Sequence, residues 1–111
     1  MEVKCDNVAA AHNGDGVDTI SVPITVGNHA NRALVVVVGW EKSTDGIGVY
    51  GVWHEELDQD GVIIGTEKKF DSNKDGLSMF YVLNPPVGTN TVHVWTTGNT
   101  QGDINCSNFY I

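Results

Sequence analysis

Two stretches of this chain space oxygen-bearing side chains as a calcium loop does. In residues 56–67, Glu56, Asp58 and Asp60 occupy the first, third and fifth positions, Gly61 the sixth, Ile63 the eighth and Glu67 the twelfth. Calcium is a hard cation that takes several carboxylate and carbonyl oxygens, with a glycine for the sharp turn and a bidentate glutamate to close the shell. The first position is glutamate where aspartate is usual, and no helical pattern flanks the loop. Asp60-Gly61 also reads simply as the turn of a hairpin. A second stretch places Asp71, Asn73 and Asp75 before Gly76, but its twelfth position is Val82 and Lys74 adds a positive charge. The two loops flank one short strand and so lie at its opposite ends, too far apart to share an ion.

Aromatic residues offer a different chemistry. Trp40, Trp53 and Trp95 are candidates for stacking on the apolar face of a sugar ring, because tryptophan combines a broad apolar surface with a polar N–H. Trp95 is the best placed, since Thr91, His93 and Thr97 alternate with it on a polar face. Trp40 ends an apolar strand and reads as core. Trp53 shares a face with both Val49 and Glu55. The candidate ligand-binding set is therefore Trp95, His93, Trp53 and Thr97. Catalysis has weaker support. Glu55 and Glu56 are neighbours on a strand and point to opposite faces, which does not make a carboxylate pair across a cleft. Nucleophile-elbow, phosphate-loop and zinc-protease motifs are absent. The histidines His12, His29, His54 and His93 are scattered and read as surface or turn residues. The expectation is a protein without catalytic residues.

The elements that must position these groups are strands. Residues 77–97 hold two alternating runs around Asn84-Pro85-Pro86 and Gly88, where proline ends the ladder and glycine permits the turn. Leu77, Met79, Tyr81 and Leu83 share one face. Val92 and Val94 oppose Thr91, His93, Trp95 and Thr97. Ile20, Val22, Ile24 and Val26 also alternate, with Pro23 demoting that strand to an edge or a bulge. Residues 33–40, the most apolar run, predict a central strand buried on both faces. Gly48 and Gly51 predict a bulge in residues 47–56. Residues 62–70 read as one strand between two acidic turns, residues 98–103 as a loop, and 104–111 as a closing strand. No helical periodicity occurs. About eight strands punctuated by glycine, asparagine and aspartate predict one all-β domain over residues 1–111. The expected architecture is an antiparallel two-sheet sandwich of jelly-roll-like topology.

The run NRALVVVVGW, then a glycine-rich strand, then MFYVLNPPVGTNTVHVWTTG resembles a small β-sandwich module of bacterial and phage surface proteins. It covers residues 18–98, most sharply 31–38 and 79–94. Residues 55–76 depart from that pattern by being longer and acidic. The resemblance implies a non-catalytic sandwich unit, often one of several in a larger extracellular or virion protein. The expected role is an interaction module, in which Trp95 and its neighbours stack on a glycan or the chain packs against copies of itself or another surface or virion protein.

Composition narrows the partners. A formal net charge of −8 argues against nucleic-acid backbones and anionic membranes, both of which require lysine and arginine. The longest apolar run, residues 33–40, is far too short for a spanning helix. The first residues carry no basic segment followed by an apolar one, so no export signal is read there. Cys5 and Cys106 lie near the two ends. A disulfide would close a long loop, whereas two free thiols packed as small hydrophobes fit a chain without an export signal. No bound cofactor is expected, calcium at the two acidic loops excepted.

Overall fold

The computed structural model describes residues 2–13, 19–42, 49–70, 74–96 and 100–111. Ten strands run in the order β1 (Lys4–Asn13), β2 (Thr19–Val26), β3 (Ala33–Lys42), β4 (Val49–His54), β5 (Gln59–Asp60), β6 (Val62–Ile63), β7 (Lys68–Phe70), β8 (Asp75–Leu83), β9 (Gly88–Thr96) and β10 (Thr100–Tyr110). One antiparallel sheet, sheet I, has the order β1-β10-β3-β8-β6, with β7 also paired to β8. Sheet II has the order β2-β9-β4-β5. The order β1-β10-β3-β8 facing β2-β9-β4-β5 is the double Greek-key order of a jelly roll.

The two inner faces fill the space between the sheets. Sheet II contributes Ile20, Val22, Ile24 and Val26 from β2 and Val92 and Val94 from β9. Sheet I contributes Leu34, Val36, Val38 and Trp40 from β3, with Phe80, Val82, Ile104 and Cys106. The strict alternation of β2, exposed then buried along its whole length, is what one core-facing surface demands. Pro23 lies on the sheet II edge, exposed and opposite Thr91. Beside it the Asn7 amide donates to the Thr25 carbonyl at 2.8 Å, covering part of that edge from β1.

Four expectations change. β3 is central in sheet I, between β10 and β8, but only its inner face is fully buried; Ala33, Val35 and Val37 are half-covered on the outside. Residues 62–70 are two short strands separated by residues 64–67, where Gly65 has φ +72°. Residues 100–103 belong to β10 because they continue its ladder with β3, from Thr100 opposite Lys42 to Asp103 opposite Gly39. Residues 58–61 are not a hairpin tip: β5 pairs with β4 in sheet II, and the chain then crosses at Gly61 to pair β6 with β8 in sheet I. The Gly61 N–H donates to the Val52 carbonyl at 2.8 Å. A Cβ there would meet Val52 at 3.2 Å and Phe80 at 3.3 Å, so the two sheets close on a residue without a side chain.

The outer face of sheet I follows from its register. One row across the strands is Cys5, Phe109, Ala33 and Leu83. The next is Val8, Ser107, Val35, Tyr81 and Val62. The third is Ala10, Asn105, Val37 and Met79, continued by Ile64, whose N–H donates to the Met79 carbonyl. Cys5 and Cys106 are free. Register sets Cys5 against Phe109 and Cys106 against Ala9, so the thiols are about 10 Å or more apart along the ladder, beyond disulfide reach.

Candidate functional site

The outer face of sheet II carries the aromatic residues. β9 is central between β2 and β4, and its register sets Trp95 against Thr19 and Gly51, and His93 against Ser21 and Trp53. Trp53 and Trp95 are therefore diagonal neighbours on adjacent strands, the pairing that large rings can span. Their centroids are 6.3 Å apart with planes at 34°. Trp53 stacks on His93 at 5.3 Å and 25°. Trp95 is 41% exposed. A Cβ at Gly51 would have no neighbour within 4 Å, so open space lies beside Trp95 on β4.

A bulge explains why Trp53 joins this face. Val49 pairs with Thr96 and Gly51 with Trp95, with the register shifting between them. The shift breaks the period of two. Val49 points inward, 8% exposed, while Trp53 points outward although both numbers are odd.

Polar groups hold the rings. The Glu55 carboxylate only accepts, so His93 carries its hydrogen on Nε2 and donates to Oε1 at 3.2 Å. In the neutral ring Nδ1 then accepts the Ser21 hydroxyl at 2.7 Å. Trp53 Nε1 donates to Asp58 Oδ1 at 3.2 Å. Asp58 closes a turn over residues 55–58, its N–H donating to the Glu55 carbonyl, with φ +50°. Aspartate is among the few side chains that visit this left-handed region readily. Asp60 lies opposite Trp53 on β5. The result is a shallow aromatic strip rimmed on the β4–β5 side by Glu55, Asp58 and Asp60. Thr97 lies outside the described residues.

The acidic residues of the first calcium-like loop disperse. Glu56 Oε1 accepts the Thr91 N–H at 2.7 Å on sheet II. Asp58 is engaged by Trp53. Glu67 belongs to sheet I, where Oε2 accepts Trp40 Nε1 and the Ser78 hydroxyl, each at 3.0 Å. The crossing at Gly61 thus sends the two ends of residues 56–67 to different sheets. Asp75 begins β8, paired with Phe70 and Glu41. Asp71 and Asn73 lie outside the described residues. Among the described residues no three of His, Cys, Asp and Glu gather as a metal-binding group.

One polar site was not expected. His54 is fully buried, as is Asn90. The reading of His54 as a surface or turn residue is thereby corrected. Its Nδ1 accepts the Leu57 N–H at 3.1 Å, so Nε2 carries the hydrogen and donates to Asn90 Oδ1 at 2.6 Å. Asn90 Nδ2 donates in turn to the carbonyls of Pro86 and Gly88. This network ties the turn that presents Asp58 to the Pro-Pro turn that starts β9. Ser21, Glu55 and Gly51 also belong to the aromatic strip; the polar alternation of β2 hints at Ser21, but strand register decides all three.

Comparison with protein-family models, with curated proteins and with solved structures finds no match to this chain. The chemistry of the strip is therefore the ground for its function.

Proposed function

We propose that this domain is a non-catalytic binding module whose outer sheet II face holds a neutral glycan. The single observation that carries the reading is the Trp53–His93–Trp95 strip with open space over Gly51. A pyranose stacks its C–H face on Trp95, whose exposed ring gains by covering apolar area. Hydroxyls at the ring's edge donate to the carboxylates of Glu55, Asp58 and Asp60, and such charge-assisted bonds are the stronger kind. An acidic rim on a chain of net charge −8 selects neutral sugars over sialylated or sulfated ones. The strip is a platform on rigid strands, which suits binding without turnover. A surface or virion protein of the kind the sequence resembles is the setting this activity fits, with glycans outside the cell as the partner.

Titration of neutral oligosaccharides and polysaccharides against tryptophan fluorescence tests the reading. Saturable binding is expected, weakened about tenfold or more by Trp95→Ala and by Trp53→Ala. Glu55→Gln is expected to weaken it less. Absence of binding across neutral glycans, or binding indifferent to Trp95→Ala, overturns it.

A further inference from the structure

We propose that the outer face of sheet I is a self-association surface, occupied by the same face of a second copy of this chain. β8 turns Phe80 and Val82 inward, yet its other face, with Leu77, Met79, Tyr81 and Leu83, is equally apolar and faces out. Val8 is 70% exposed and Leu83 58%. The three rows from β1 to β6 carry no charged side chain, although the chain holds fourteen carboxylates and six lysines and arginines. Ser107 and Asn105 are the polar side chains within these rows, and an apolar patch of this extent commonly marks an interaction surface.

Area and charge identify the occupant. Five strands at about 4.8 Å and three rows at about 6.8 Å give a plan area on the order of 500 Å². Projecting side chains raise the accessible area toward the roughly 800 Å² per partner of a standard stable interface. Two copies of net charge −8 repel wherever their acidic surfaces meet, and the three uncharged rows are where they can close, the charged residues of this face, His12, Asp103 and Lys68, lying in the next row with Leu77. Sheets stack face to face at about 10 Å with side chains interdigitating, and a patch meeting itself gives a closed two-fold dimer. A groove of about 280 Å³ lined by Ile64, Lys68, Leu77 and Met79 at the β8 margin offers a pocket for a projecting apolar side chain of the second copy. In such a dimer the two sheet II faces point away from each other.

Sedimentation equilibrium tests this directly. At roughly 100 μM, well above the micromolar constants that interfaces of this size reach, the expected mass is about twice 12.0 kDa. Val37→Lys and Leu83→Asp are each expected to raise the dimer dissociation constant at least tenfold. Leu83 sits at the exposed margin, so Leu83→Asp preserves folding even where Val37→Lys does not; far-ultraviolet circular dichroism checks both. Trp95→Ala, on the opposite sheet, is expected to leave the dimer intact. A 12.0 kDa species at every concentration overturns the proposal, and so does a dimer that survives both sheet I substitutions or dissociates with Trp95→Ala. Glycan binding by the Leu83→Asp monomer is read separately, so the two proposals fail independently.

Discussion

His54 Nε2 donates to Asn90 Oδ1 at 2.6 Å in the sealed interior, thirty-six residues apart in the chain. Every polar atom of the two side chains has a partner: His54 accepts from Leu57, and Asn90 donates to Pro86 and Gly88. A satisfied buried network of this kind specifies one arrangement of the turns around it. Removing one member strands the others. His54→Ala leaves Asn90 Oδ1 and the Leu57 N–H without partners and opens a cavity, at a cost of about 3 kcal/mol or more. Thermal denaturation should show a midpoint lower by roughly 10 °C or more. Asn90→Asp is expected to be at least as damaging, because it turns an oxygen toward two carbonyls.

Gly76 faces the Trp40 indole across the β3–β8 ladder, and a Cβ at that position would overlap the Trp40 Cε2, Cζ2 and Nε1 atoms. The ring has little freedom to yield, since its Nε1 donates to Glu67. Gly76→Ala therefore costs about 1–3 kcal/mol through overpacking. On the outer face of the same ladder, a Cβ added at Gly39 would meet nothing within 4 Å, and Gly39→Ala is expected to be neutral or stabilising by up to about 1 kcal/mol. Denaturant titration of the two variants distinguishes them by the sign of the midpoint change.

Local pattern carries some of this molecule and register carries the rest. β2, β8 and β9 alternate cleanly, and Trp95 among Thr91 and His93 marks an outward face without any structure. Trp53 could not be placed that way, because the bulge between Val49 and Gly51 shifts the parity of its strand. β1 has no alternation in KCDNVAAAHN; it is a sheet edge whose small alanines only brush the core. Residues 56–67 space their oxygens as a calcium loop does, while the crossing between sheets at Gly61, which parts Glu56 from Glu67, is a property of the whole topology. His54, beside two glutamates, reads as solvated; only its distant partner Asn90 explains its burial. The sheet I exterior is legible as apolar residues, while their facing outward emerges only once β8 has chosen which side to give the core.

Asp6 joins three elements. Its Oδ2 accepts the Gly27 N–H at 2.7 Å and the Asn108 amide at 2.8 Å, and its Oδ1 lies 3.3 Å from His29 Nε2. The Gly27 N–H first, then the Asn108 amide, hold its carboxyl below the ordinary aspartate range, with the His29 ring adding to them. A pKa lowered on folding contributes stability above the unfolded value, near 4, that is lost as pH falls through the lower folded value. The difference in thermal midpoint between wild type and Asp6→Asn should be widest near neutrality and shrink below about pH 4. A difference that stays constant from pH 7 to pH 3 would mean that shape rather than charge is what Asp6 supplies.

The two thiols differ in a way that reagents can read. Cys5 is exposed on β1, whereas Cys106 is fully buried and its thiol is pushed up to about 12 by desolvation. The thiolate is the reacting species, so burial suppresses Cys106 twice, by access and by ionisation. With the protein dilute enough to be monomeric, a disulfide-exchange chromophore at neutral pH should titrate one thiol per folded chain within minutes and the second only after denaturant is added. Because register holds the two cysteines apart, a reducing agent should leave the thermal midpoint unchanged. Two rapidly reacting thiols would mean that β10 opens locally at Cys106; none would mean that the cysteines had been oxidised against this register.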